Sequence, residues 1–289
     1  MADDGDGAVD RAAAEAAADD GDGAVDRAAA EAAADDVTAA DDTPGSDTAG
    51  DAAPPDDAVL VVDGVDSGYG DMQVLYDLSV HLRAEEVVCM VGPNGAGKST
   101  VLKTVFGLLD PWAGSVRLDG EDITGTAPAD VVRRGMGYVP QTDNVFPPLT
   151  VEENLRMGGV AREDPNDVIE GLYDRFPILD DYRDAEAGDL SGGERQLVAL
   201  TRALVMEPDV LLIDEPSAGL APSIVDEVFD DVRAINDLGT AILMIEQNAR
   251  AGLGISDRGY VLDQGTVAFE GPADRLLEDP EVGELYLGG

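Results

Sequence analysis

Val87-Val88-Cys89-Met90-Val91-Gly92-Pro93-Asn94-Gly95-Ala96-Gly97-Lys98-Ser99-Thr100 is an apolar run, then a glycine-rich loop, running into the helical stretch Val101-Leu102-Lys103-Thr104-Val105-Phe106. Gly92 to Ser99 fits G-x-x-x-x-G-K-[ST] at every fixed position, in the strand, loop, helix order that gives this pattern its meaning. Glycines let successive backbone N–H groups converge on a β-phosphate, Lys98 reaches the β/γ oxygens as a point charge, and Ser99 offers its hydroxyl to Mg²⁺. The candidate phosphate-binding residues are therefore Gly92, Pro93, Asn94, Gly95, Ala96, Gly97, Lys98, Ser99 and Thr100.

A second apolar run, Val210-Leu211-Leu212-Ile213, ends in Asp214-Glu215-Pro216. Such a short continuous run suits a parallel strand covered on both faces, whose carboxyl end meets the ligand. Asp214 would hold Mg²⁺ directly or through water, and Glu215, one residue on, would polarise an attacking water. Between the two runs lies Leu190-Ser191-Gly192-Gly193-Glu194-Arg195-Gln196, with Asp189, Leu190 and Ser191 placed to cap a helix.

These three motifs in this order resemble the nucleotide-binding subunit of an ABC transporter, over about Asp57 to Gly289. The resemblance implies an α/β P-loop ATPase fold: a mixed, mostly parallel core sheet, a small antiparallel β-subdomain and an inserted helical subdomain at about 143–190. It also implies ATP and Mg²⁺ as cofactors, with Ser99, Gln141 and Asp214 as metal-binding residues and Glu215, Gln141 and Gln247 as catalytic ones. Ser191, Gly192 and Gly193 correspond to the signature that closes over ATP bound on an opposite subunit, so one chain makes half a site. Tyr69, in Ser67-Gly68-Tyr69-Gly70, stands where an aromatic stacks on adenine, and Gln141 follows Tyr138-Val139-Pro140 where a glutamine touches Mg²⁺ and the lytic water.

Two departures narrow the resemblance. Gln247 stands where most such ATPases carry a histidine, and glutamine can hydrogen-bond a γ-phosphate but cannot shuttle a proton near neutral pH. Ala221 stands where a dimer-spanning aspartate is usual. With Gly219-Leu220-Ala221-Pro222, Glu246-Gln247-Asn248, the run Leu149 to Gly159 and the ending Tyr286-Leu287-Gly288-Gly289, the chain resembles the LivF-type ATPases of branched-chain amino acid importers. Urea-importer ATPases are similar in wording, and a soluble non-transport ABC ATPase is a further alternative. The implied partners are membrane permeases, a second ATPase subunit (a paralogue or another copy) and, indirectly, a solute-binding protein, at the cytoplasmic face of the cell membrane.

Composition bounds the remainder. Ala2 to Ala17 repeats without change as Ala18 to Ala33, and residues 1–57 are expected to be a disordered acidic tail ahead of a nucleotide-binding domain at 58–289. The tail carries a net −16 of the chain's −43, leaving −27 on the remainder, and only Lys98 and Lys103 are lysines. That balance excludes nucleic acid as a partner and resembles a halophilic cytoplasmic proteome, where concentrated salt screens carboxylate repulsion. No run approaches the roughly 20 apolar residues of a spanning helix. Cys89 is single, expected as buried filler, and His81 is expected at a solvent-facing strand position. Strands are expected at 59–62, 76–82, 87–91, 116–118, 137–139, 210–213, 241–245 and 259–262, with Leu155, Val168, Leu172, Phe176 and Leu179 packing helices and a terminal helical patch at 274–286.

Overall fold

The computed structural model describes Pro55 and residues 57–286, so nearly all of the acidic tail expected over 1–57 lies outside the described residues. In chain order the elements begin with strands β1 (Ala58–Tyr69), β2 (Met72–Arg83) and β3 (Val87–Val91), helix α1 (Lys98–Val105), and strands β4 (Ala113–Leu118) and β5 (Glu121–Asp122). Helix α2 (Pro128–Arg133), strand β6 (Met136–Val139) and helices α3 (Val151–Gly158), α4 (Asn166–Arg175), α5 (Pro177–Asp181) and α6 (Gly192–Leu204) follow. The chain then alternates β7 (Val210–Asp214), α7 (Pro222–Asn236), β8 (Ala241–Ile245), α8 (Ala249–Gly254) and β9 (Arg258–Asp263) before β10 (Thr266–Pro272), α9 (Ala273–Glu278) and α10 (Pro280–Leu285).

Two sheets result. The larger has strand order β10-β9-β3-β8-β7-β6, with every pair parallel except β9 and β10. Its central strands read as unbroken apolar runs because both faces are covered. Val88 and Met90 of β3, Leu212 of β7 and Leu243 of β8 join a core shared with the smaller sheet and α1. Their neighbours Cys89, Ile213 and Met244 point the other way, into a core with α6, α7 and the helical segment. The smaller sheet, β2-β1-β4-β5, is antiparallel throughout.

Leu155, Leu172, Phe176 and Leu179 are all buried, and Val168 packs beside them. They share one continuous cluster with Leu197 and Val198 of α6, so the inserted helices are anchored on the helix that begins at the signature motif. α3 starts at a capping box in which Thr150 accepts from Glu153 N–H and Glu153 accepts from Thr150 N–H.

The strand expected at 59–62 continues to Tyr69, through register shifts that keep its core-facing residues inward. β10 is an addition to the expected elements. It is joined to β9 by the turn Gln264-Gly265, whose φ values of 45° and 85° match the hairpin turn that twists with its strands. The terminal helical patch is two helices, because Asp279 leaves helical geometry and Pro280 opens a new N-terminus.

His81 corrects an expectation. It is half-buried rather than solvent-facing, with Nδ1 3.2 Å from Tyr260 Oη. Around it, buried Arg258 grips Glu86 with two bonds of 2.8 and 3.0 Å, reaches Glu270 at 2.9 Å, and donates to the His81 carbonyl at 2.7 Å. This network ties β2 of the smaller sheet to β9 and β10 of the larger, and its partners are too distant in sequence for a periodic pattern to report.

Candidate active site

The carboxyl ends of β3 and β7 set the site, with β8 between them. After β3 the chain turns through Gly92 with φ at 151°, where any Cβ would stand 2.1 Å from the Leu262 carbonyl oxygen. Only glycine fits that approach. Gly97, at φ 104°, opens α1, whose first turn carries no acidic residue and presents its unpaired N–H groups and positive dipole end to the loop.

Lys98 is the electrostatic centre. It is 5% exposed, yet its ammonium donates only to the carbonyls of Gly92 (2.7 Å) and Pro93 (3.2 Å), and it forms no ion pair among the described residues. Burial lowers its pKa, and the carboxylates of Glu215 and Asp214 pull it back up. A buried cation that makes no ion pair among the described residues, beside a helix N-terminus, suits a polyanion such as a triphosphate.

Ser99 Oγ donates to Asp214 Oδ1 at 3.3 Å, and Tyr138 Oη donates to Asp214 Oδ2 at 3.3 Å. Burial raises the Asp214 pKa, while these two hydroxyls hold it down. Hydroxyl and carboxylate oxygens are the hard donors that Mg²⁺ selects. No cluster of three or more His, Cys, Asp or Glu that could cage a metal occurs among the described residues.

Glu215 follows in left-handed backbone at φ 45°, a costly conformation for a residue with a side chain and one concentrated at functional sites. Its N–H is fixed on the Ile245 carbonyl at 3.0 Å. Gln141 Nε2 donates to Glu215 Oε2 at 2.7 Å, and burial raises the carboxylate's pKa, with Lys98 lowering it and Asp214 raising it. A cleft of about 730 Å³ joins Tyr69, Asn94, Gly95, Lys98, Thr100 and Glu215. Tyr69 is 41% exposed, so its ring is available for stacking, and Thr100 Oγ1 lies 3.5 Å from its hydroxyl.

The structure thus brings Tyr69, the Gly92–Thr100 loop, Gln141, Asp214 and Glu215 together. Gln247 instead lines a separate hollow of about 440 Å³ with Ser217, Leu220 and Asn248. Ser191, Gly192 and Gly193 lie outside both hollows. Ser191 caps α6 through a reciprocal box with Glu194. A Cβ on Gly193 would stand 2.6 Å from Ile224 Cγ2, so the signature turn abuts the segment after Glu215. Ala221 caps α7 with no side-chain bond. Two polar residues escaped sequence reading as site members: Tyr138, quoted only as strand, and Glu246, quoted only beside Gln247. The available signal for Glu246 was a carboxylate directly after an apolar strand.

A parallel sheet with a phosphate loop at one strand end and an Asp-Glu pair at another defines a P-loop nucleotide hydrolase. A family model described as ABC transporter matches residues 75–218. The chain is 42% identical over 227 residues to a probable branched-chain amino acid transport ATP-binding protein of Archaeoglobus fulgidus, covering 78% of this chain and 96% of that one. It is 40% identical over 233 residues to a high-affinity branched-chain amino acid transport ATP-binding protein of Pseudomonas aeruginosa, covering 80% of this chain and all of the other. Among solved structures, a nucleotide-free ATP-binding cassette from an ABC transporter superposes with a TM-score of 0.72 at 29% identity, covering 80% of this chain and 100% of that one. The chain belongs to the ATP-binding subunits of ABC transporters and is an ABC-type ATPase.

Proposed function

We propose that this chain powers an importer of branched-chain amino acids, binding ATP in the cleft at Lys98 and hydrolysing it between two ATPase subunits. The observation that carries the reading is the array Ser99, Asp214, Glu215 and Gln141, hydrogen-bonded at the mouth of a phosphate loop whose buried lysine makes no ion pair among the described residues. The printed functions of the archaeal and bacterial relatives support the cargo.

Adenine stacks on Tyr69, a contact worth about 1–3 kcal/mol in comparable base stacking. The phosphates lie on the backbone from Gly92 to Thr100, with Lys98 against the β/γ oxygens. Ser99, Asp214 and Gln141 would hold Mg²⁺, which neutralises phosphate charge when bound. The Glu215 carboxylate takes a proton from water as the water oxygen bonds to the γ-phosphorus, and the bridging oxygen leaves with ADP. Gln141, bonded to Glu215, orients that carboxylate, and Gln247 donates its amide to the γ-phosphate. Ser191 and Gly193 of a second subunit complete the site from across an interface.

Residues 58–289 act as the nucleotide-binding domain, and the helices between about 143 and 190 meet the permeases. Among the described residues no helix is long and apolar enough to cross a membrane, which supports attachment through those partners at the cytoplasmic face. The net charge of −43 supports a salt-rich interior as the working medium. The test is co-expression with candidate permeases and a solute-binding protein in vesicles loaded with ATP. Uptake of labelled leucine that vanishes with Lys98→Ala supports the reading. Binding-protein-dependent uptake of another solute, with none of leucine, overturns the cargo.

A further inference from the structure

Glu246 is the first residue after β8 and only 1% exposed. A carboxylate so buried needs compensation, yet it has no cationic partner among the described residues. Four donors supply it instead. One oxygen accepts from Ser217 N–H at 2.9 Å; the other accepts from Ser217 Oγ at 2.9 Å, Gln247 N–H at 3.1 Å and Asn248 N–H at 3.2 Å. Burial raises its pKa while these donors pull it down.

The donors come from two turns with different duties. Ser217 is two residues beyond Glu215, whose strained backbone is itself pinned to the Ile245 carbonyl. Gln247 and Asn248 form the turn that carries the γ-phosphate amide. Further along the first turn, Leu220 Cδ2 lies 2.8 Å from where a Cβ on Gly192 would stand, so the same segment also braces the signature.

We propose that Glu246 is a positioning residue that fastens the Glu215–Ser217 turn to the Gln247–Asn248 turn, so that the water-activating carboxylate and the γ-phosphate amide are placed as one unit braced against the signature glycines. The inference rests on the roles given above to Glu215 and Gln247. A purely structural buried carboxylate would affect folding and nucleotide affinity together; a positioning residue affects turnover while leaving binding intact.

The test measures ATP affinity, steady-state hydrolysis and thermal melting on the full chain bearing Glu246→Gln, Ser217→Ala or both. Glu246→Gln keeps the shape but turns an amide N–H toward N–H donors. Its kcat is expected to fall about tenfold to a hundredfold, the worth of hydrogen bonds to a charged group, with ATP affinity changed by less than about threefold. Ser217→Ala, which removes one donor and keeps the buried carboxylate, is expected to lose less. The double variant should be no slower than Glu246→Gln alone, because the two act through one contact. Unchanged kcat in either folded single variant, equal losses in affinity and kcat, or additive effects would overturn the proposal. Glu215→Gln on the same preparation separates the failures. If it still hydrolyses ATP, the catalytic assignment falls and the inference with it; if it is inactive while Glu246→Gln is normal, the inference alone falls.

Discussion

Glu215 shows how this chain concentrates backbone cost at its proposed catalytic carboxylate. Its carboxylate sits at the end of a fully buried strand, in a backbone region that natural proteins keep for sites over-determined by their surroundings. The Ile245 carbonyl, Gln141 and the Ser217 turn supply that determination here. Asp231 is a second costly carboxylate, on α7 and away from the chemistry. Burial, with Asp230 and Glu227 beside it, raises its pKa to about 6. The folded chain therefore binds a proton there that the unfolded chain releases at lower pH. The stability this contributes is full below the unfolded pKa near 3.8 and is lost as pH rises through about 6. Asp231→Asn should match the parent in thermal melting at pH 5 more closely than at pH 8, where it should be more stable by about 1 kcal/mol after allowance for solvent screening. A gap that closes with rising pH would contradict this.

At the scale of elements, each sheet and its motif were readable, while the joint between the sheets was not. Gly92 to Ser99 and Ser191 to Gly193 are legible because backbone chemistry fixes residue type at fixed spacing. The central strands β3, β7 and β8 are legible because burial on both faces leaves continuous apolar runs. Glu246 meets Ser217 from 29 positions away and Arg258 meets Glu86 from 172, and no local pattern carries such pairings. His81 was misplaced for the same reason, since Tyr260 covers it from 179 residues further along. The hairpin strand β10 did leave a trace, in the alternation Val267, Phe269 and the Gln264-Gly265 turn. The Arg258 network makes a direct claim. Glu86→Gln removes the bidentate partner of a buried guanidinium, and chemical denaturation should show a loss of about 3 kcal/mol, the lower end for breaking a buried pair, because Glu270 remains. A loss below about 1 kcal/mol would mean that the network is not what couples the two sheets.

On the scale of the whole molecule, the excess of 61 acidic over 18 basic residues makes salt-dependent stability the expectation. Exposed carboxylates outnumber basic groups, and at about 0.1 M salt the screening length of about 10 Å lets their repulsion act between neighbours. Raising KCl from 0.1 M to 2 M should increase the melting temperature, at about 2–4 °C for each kcal/mol of repulsion relieved. Equal melting at both concentrations would remove salt adaptation from the account.

The same scale holds the central claim, that ATP is cleaved by Glu215 at a site which one chain only half supplies. Replacing Glu215 with glutamine keeps the hydrogen-bonding shape beside Gln141 but removes the proposed base. The decisive measurement is ATP binding and hydrolysis by Glu215→Gln together with its association state by light scattering. The account expects ATP bound with near-normal affinity, hydrolysis slowed at least about a hundredfold, and an ATP-dependent pair that persists. Near-normal hydrolysis by Glu215→Gln would contradict it.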